Sequence, residues 1–302
     1  MSLLIISGLV ISLLTLNGIP IFQPLSAVTN NPSTAPNANQ PYQKSIYTPQ
    51  PVKKADYQNT TVGASSAIIY DLNSGITLYE KSPQEQRPIA SMAKLMTALV
   101  IMQNHSADEI VTIGNIPTLN LFDQKIGISP GEKFQLLDLM KALLIYSGND
   151  VANALAIYDS GSIDAFAEKM NAKASEWGLD NSKFANPSGL DQADGYSSAE
   201  DVLTLARILY NNKLFQEIVN TASTKIYNQQ GKGYTLTTTN KILGTNGVVG
   251  IKTGYTLASG ECLVTLAVRE GHGIVAVVLN SPDRFQESKS MIDWAFKNYI
   301  WQ

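Results

Sequence analysis

Residues 87–104 read RPIASMAKLMTALVIMQN, and what this stretch folds into decides how the rest of the chain must be arranged. Met92, Leu95, Met96, Leu99, Val100 and Met102 recur at helical spacing and leave almost no polar face. Such a helix belongs inside a protein, with other elements packed around it. Yet between Arg87 and Asp108 one charged side chain remains, Lys94, one turn after Ser91. A lysine in that setting needs a reason.

Working outward, the helix is preceded by SAIIYDLNSGITLYEK, two β-rich runs around Asn73-Ser74-Gly75 that read as a hairpin. Residues 88–220 are mainly helical. SPGEKFQLLDLMKALLIYSGNDVANALAIY gives two apolar-periodic helices parted near SGND, and SSAEDVLTLARILYNN opens with a serine cap and an acidic first turn. The chain then returns to strands in GVVGIKTGYT, CLVTLAVRE and GIVAVVLN, the last two joined by a tight turn at Gly271-His272-Gly273. A helix from Arg284 to about Tyr299 follows. Two strands, an inserted helical block, three strands and a helix predict an α+β fold, with one antiparallel five-stranded sheet flanked by helices.

The first 22 residues carry no charged side chain, and the unbroken apolar run Leu3–Leu16 is short for a membrane span. It suits an export segment, either a signal peptide or an N-terminal anchor over residues 1–27, with cleavage left open. Residues 28–60 are rich in Pro, Asn, Thr, Ser and Gln without periodicity, which predicts a flexible tether. The folded domain is then expected over 61–302, outside the cytoplasm.

Composition narrows the chemistry. With 44% hydrophobic and 16% charged residues and a net charge of −3, the chain has an ordinary globular balance and no basic stripe for nucleic acid. Its one cysteine, Cys262, cannot form an internal disulfide and lies in an apolar run, as a small buried hydrophobe would. Two histidines, His105 and His272, both expected in loops, supply neither a zinc cluster nor a Ser-His-Asp triad.

What remains is lysine chemistry. A helix start favours a serine nucleophile because aligned amide dipoles stabilise developing negative charge. Lys94, three residues after Ser91, shares its helix face, and in an apolar setting its ammonium is penalised so that the neutral amine becomes available as a base. Alone, the pattern also describes a serine cap with a lysine reaching to the surface, but S-x-x-K occurs once in the chain and has company. Ser147-Gly148-Asn149 ends an apolar helix, where alone it would be a helix stop and a new cap. Lys252-Thr253-Gly254 sits in a strand, where Gly254 lets a substrate backbone approach and Lys252 and Thr253 offer cationic and hydroxyl contacts to a carboxylate; alone it would be an ordinary edge with a bulge.

The ordered set S-x-x-K, S-x-N, K-T-G resembles that of the active-site serine penicillin-recognising enzymes, and within them the low-molecular-mass serine D-alanyl-D-alanine carboxypeptidases. The likeness runs from about Ala64 to the C-terminus through phrases such as NPSGLDQADGYSSAEDV and TNKILG. It implies a β-lactamase/transpeptidase-like fold, a stem peptide of peptidoglycan ending in D-Ala-D-Ala as substrate, β-lactam antibiotics as covalent inhibitors, and no cofactor or metal. On its residues it implies Ser91 as nucleophile and Lys94 as the group that takes its proton. Ser147 and Lys252 would pass a proton to the departing D-alanine, and Asn149 would hold the substrate amide. Thr253 and Lys252 would bind the terminal carboxylate, and the backbone N–H groups of Ser91 and Tyr255 the oxyanion. Arg284 stands where such enzymes often bind the carboxylate; as a helix-start surface charge it reads equally well.

Two departures stand out. Many relatives carry a second β-rich domain and a C-terminal amphipathic anchor, so membrane attachment here is expected, where there is any, through the N-terminus. Tyr255 stands where some relatives have His. Of the rivals, a class A β-lactamase needs a glutamate in an E-x-x-L-N phrase, which Glu168, Glu176, Glu200 and Glu217 do not form. A wall-binding module that had lost catalysis would not keep every motif residue. An endopeptidase cutting cross-links with the same residues stays open.

Overall fold

The computed structural model describes residues 48–302. The export segment expected over 1–27, and the tether as far as residue 47, lie outside the described residues. The rest of the expected tether is not free chain. Strand β1 (Pro51–Lys53) pairs antiparallel with the last residues of the chain, and the Tyr57 ring packs edge-on against Trp294 and Tyr299, each 5.8 Å away. A three-residue strand shows less than two full alternations, so its composition alone hides it.

β2 (Ser66–Asp71) and β3 (Ile76–Lys81) form the expected hairpin, with Gly75 at φ +79° in the turn. A tight 3₁₀ turn, Ala90–Met92, then leads into α1 (Ala93–Asn104), which is buried from Ala93 to Ile101. That burial accounts for the missing polar face. β4 (Ile110–Thr112) and β5 (Lys133–Gln135) pair across a long loop. α2 (Leu136–Lys141) continues through a π-type turn, Ala142–Tyr146, that ends at Ser147 in the left-handed region (φ +68°). α3 (Asn149–Ser160), α4 (Ile163–Glu176), α5 (Ala199–Tyr210) and α6 (Lys213–Val219) complete the inserted block.

A small hairpin, β6 (Ser223–Tyr227) with β7 (Gly233–Thr237), precedes β8 (Val248–Thr256), β9 (Gly260–Arg269) and β10 (His272–Ser281). α7 (Arg284–Asn298), capped by the Asp283 carboxylate, and β11 (Tyr299–Trp301) end the chain. The main sheet is antiparallel throughout, in the order β3-β2-β10-β9-β8. α7 covers one face and α1 with the inserted helices the other. Its β9–β10 turn is Glu270-Gly271, both at positive φ. His272 is therefore a strand residue, not a turn residue, and its ring stacks on Trp301 with 4.6 Å between centroids. His105 does follow a helix, as expected, held between Glu109 and Asp159.

Candidate active site

α1, the end of the π-type turn and β8 converge on a cleft of about 710 Å³ lined by Ser91, Ser147, Asn149, Thr253, Gly254, Tyr255 and Arg284, among others. Three segments far apart in sequence thus meet at one place. The 3₁₀ turn before α1 presents Ser91; Ala90, just before it, takes positive φ (+48°), which marks this as a constrained turn. The same turn sits against β8. A Cβ added at Gly254 would stand 3.1 Å from Ser91 N, Ala90 Cβ and Met92 Cε. Gly254 therefore serves first to let the strand touch the serine turn; the close approach expected of a substrate backbone is here made by the protein itself.

Lys94 is fully buried on α1, and its amine has three oxygen neighbours: Ser91 Oγ at 2.8 Å, Asn149 Oδ1 at 2.6 Å and the Ser188 carbonyl at 2.6 Å. Burial, and next the charge of Lys252, hold its pKa well below the ordinary lysine value; the carboxylates of Asp150 and Asp123 work in the other direction. Lys252 on β8 is also buried, and donates to Ser147 Oγ at 2.8 Å and to the Thr253 carbonyl at 3.0 Å. Burial, with Arg284 nearby, brings its pKa down to about 7. Two amine–hydroxyl pairs thus meet at the cleft, Lys94–Ser91 and Lys252–Ser147, and burial lowers the pKa of each amine.

Arg284 begins α7 and points into the cleft, where its Nη1 donates to the Gly254 carbonyl at 2.6 Å. Its Nε is buried with no hydrogen-bond partner among the described residues. Of the two readings open in the sequence, the cleft residue is the one the fold adopts. The Thr253 hydroxyl bonds Thr239 at 2.5 Å, and Tyr255 is 59% exposed at the mouth beside Phe122 and Leu257.

Several participants were given no role in the sequence, although Thr239, Ser188 and Asp191 lie in the phrases TNKILG and NPSGLDQADGYSSAEDV that carry the likeness. Thr239 supports Thr253 from the loop after β7. Asp150, next to Asn149, is buried and accepts the backbone N–H groups of Ile126, Gly127 and Ile128, tying the opposite wall of the cleft to the Ser-Gly-Asn segment. Ser188 contributes only a backbone oxygen, for which no side-chain pattern could speak. Among the described residues, Asp123 and Asp191 are the carboxylates that line the cleft, and no glutamate does.

The profile of a family described as D-alanyl-D-alanine carboxypeptidase matches residues 52–283. D-alanyl-D-alanine carboxypeptidase DacF of Bacillus subtilis is 33% identical over 244 residues, 78% of this chain and 63% of that protein. DacB2 of Mycobacterium tuberculosis is 29% identical over 77% of this chain and 82% of its own length. The chain thus spans a little under two thirds of the Bacillus relative. The Streptomyces K15 DD-transpeptidase structure superposes with a TM-score of 0.72 at 27% identity, covering 80% of this chain and 99% of that one. Penicillin-binding protein D2 of Listeria monocytogenes, in its cefotaxime-bound form, gives 0.69 at 26% identity, covering 79% and 99%.

Proposed function

The chain belongs to the D-alanyl-D-alanine carboxypeptidase family, and from that premise we propose that it removes the terminal D-alanine from peptidoglycan stem peptides through an acyl-enzyme, outside the cytoplasm. The observation that carries this reading is the set of three oxygens around Lys94. A neutral amine has two N–H bonds and one lone pair. The Asn149 amide oxygen and the Ser188 carbonyl can only accept, so they take both N–H bonds. The lone pair is left facing the Ser91 hydroxyl, which is the polarity a general base needs.

The reaction follows from that arrangement. Ser91 Oγ attacks the carbonyl carbon between the two D-alanines as its proton passes to Lys94. The resulting oxyanion rests on the backbone N–H groups of Ser91 and Tyr255. When the C–N bond breaks, the leaving amine takes a proton from the Ser147 hydroxyl, and Lys252, 2.8 Å away with a pKa of about 7, resupplies it. Water then attacks the ester beside Asn149; Lys252, left neutral by the acylation half, takes the water's proton through Ser147, and Lys94 returns its proton to Ser91 Oγ as the ester bond breaks. Lys252, Thr253 and Arg284 hold the terminal carboxylate; the unpaired Nε–H of Arg284 supports that role, since a buried donor without a partner is costly until an anion arrives. β-Lactams, as acylating mimics of the same peptide, would stop at the ester. A class A β-lactamase would need a glutamate from an E-x-x-L-N phrase to drive deacylation, and among the described residues no glutamate lines the cleft.

The test is the ratio of kcat/KM for D-Ala-D-Ala peptides with free and amidated C-termini, in wild type and in Arg284→Ala. A carboxypeptidase prefers the free acid by roughly 10² or more, because the amide leaves buried cations unpaired. The preference shrinks in the variant. Equal rates on both peptides would assign the enzyme to cross-link cleavage instead.

A further inference from the structure

The Ser188 carbonyl that fixes the direction of the Lys94 lone pair lies in a region without regular structure. Between the end of α4 at Glu176 and the start of α5 at Ala199 the chain forms only turns and two isolated bridges, Arg87↔Ser197 and Lys183↔Tyr196. Neither a helix nor a sheet ladder therefore places that oxygen. One side chain does most of it. Asn186 Oδ1 accepts from Ser188 N (3.1 Å), Ser188 Oγ (2.9 Å) and Gly189 N (2.7 Å), while its Nδ2 donates to the Leu190 carbonyl (2.9 Å) and to Gln192 Oε1 (3.2 Å). From the other side, Thr97, one turn after Lys94 on α1, donates to the Pro187 carbonyl at 2.7 Å. Gly189 closes the contact: it takes φ +77°, and a Cβ there would stand 1.8 Å from the Ala90 carbonyl, next to the nucleophile. Consecutive carbonyls of one turn thus face α1, and Asn186 gathers the N–H groups behind them.

We propose that Asn186 is a positioning residue for acylation: by pinning the 186–190 turn it holds the Ser188 carbonyl on Lys94 and so keeps the amine's lone pair on Ser91. The inference rests on the reading of Lys94 as the base. Without the Ser188 oxygen in place, the amine has two N–H bonds and one obligate acceptor, Asn149. Rotation about the Cε–Nζ bond then turns an N–H toward Ser91 Oγ, and the serine proton has nowhere to go. The carbonyl also favours the ammonium over the amine, as any acceptor does. The charged groups facing that amine are Lys252 from β8, Asp150 from α3 and Asp123 from the loop before β5.

The experiment measures the second-order rate constant for acylation by a fluorescent penicillin against pH, in the full chain and three variants. In Asn186→Ala the plateau falls by roughly 10- to 100-fold, as expected for a misdirected catalytic group. Its acid limb moves to lower pH, because the ammonium has lost an acceptor. Asn186→Asp keeps the oxygen that gathers Ser188 and Gly189, so its plateau recovers to within roughly fivefold of wild type. Its acid limb moves to higher pH, because a negative charge has been added. A merely structural asparagine would lower the yield of folded protein and move neither limb. Wild-type rate and limb in Asn186→Ala, or an aspartate variant as slow as the alanine one, overturns the proposal. If Asn186→Ala does not fold, the plateau and limb of Asn186→Asp decide alone. Lys94→Ala separates the two layers: if it acylates normally, the base reading itself fails, whereas a dead Lys94→Ala beside a normal Asn186→Ala removes only the turn.

Discussion

The two faces of the main sheet are both covered and are built on opposite terms. Toward α7 the contacts are apolar and aromatic: Ile69, Leu263, Ala276 and Val278 from the strands meet Met291, Trp294 and Tyr299, with Tyr57 set edge-on against the last two. The one polar group of Trp294, its indole N–H, is satisfied by the Gln58 carbonyl at 2.6 Å. Toward α1 the same kind of packing, with Met92, Leu95, Met96 and Val264 fully buried, encloses Lys94 and Lys252. Neither lysine forms a salt bridge to a carboxylate among the described residues. An unpaired amine in a dry core costs stability. One face holds the fold together, and the other holds two amines whose charged forms burial disfavours.

That contrast can be broken from either side. The largest expected effect is catalytic. Ser91→Ala removes the oxygen that both halves of the reaction use, and turnover falls on the order of 10⁶ with penicillin labelling abolished. Thermal unfolding stays close to wild type, since the serine is at the cleft and not in the packing. Covalent labelling of the variant at full stoichiometry would mean that another nucleophile is at work.

On the opposite face the balance inverts. Trp294→Ala opens a large cavity beside Met291 and Tyr299 and leaves the Gln58 carbonyl without a partner, for a loss of about 3–5 kcal/mol in denaturant unfolding. Acylation per folded molecule is unchanged. A loss under about 1 kcal/mol would show that this face is not the stabilising one.

The smallest effect sharpens the comparison by pH. Lys252 titrates near 7 in the fold, against about 10.4 for a lysine in the unfolded chain. Between those values the unfolded state binds the extra proton, so the wild type gains stability as pH rises from 7 toward 10; below 7 the penalty is fully present. Lys252→Met is inactive and lacks this slope. Its stability relative to wild type is therefore most favourable near pH 6 and declines by up to roughly 1 kcal/mol per pH unit above 7. An identical difference at pH 6 and pH 9 would show that burial does not perturb this lysine.

How much of this was legible in the sequence follows from the same physics. The hairpin around Asn73-Ser74-Gly75, the buried α1 and the three long strands announce themselves because each carries several periods of its pattern. β1, β4 and β5 have three residues each, too few to display one. β6 and β7 hide differently: Thr, Lys and Gly on an exposed hairpin face dilute the alternation of Ile226, Tyr234 and Leu236. Ser91, Lys94, Ser147, Asn149, Lys252 and Thr253 could be picked out because their side chains bear the atoms that the proposed reaction uses. Ser188 acts through a backbone oxygen and Asn186 through bonds within its own turn. A residue whose effect is to place a carbonyl has no spacing rule to betray it.

The pairing of β1 with β11 has one more consequence. Gln50 N donates to the Gln302 carbonyl at 2.8 Å, and Gln302 N to the Gln50 carbonyl at 3.1 Å. The described chain therefore returns to its starting point, and in connectivity it is a ring with a single cut between residues 302 and 50. Two residues would bridge that gap, and the exposed Glu270-Gly271 turn offers a place to cut instead. In such a rearranged gene β10 and α7 would come first and β9 last, while Ser91, Ser147 and Lys252 would keep their order and spacing. Which strand of the sheet is read first is thus a matter of where the circle was opened, while the cleft depends only on who is neighbour to whom.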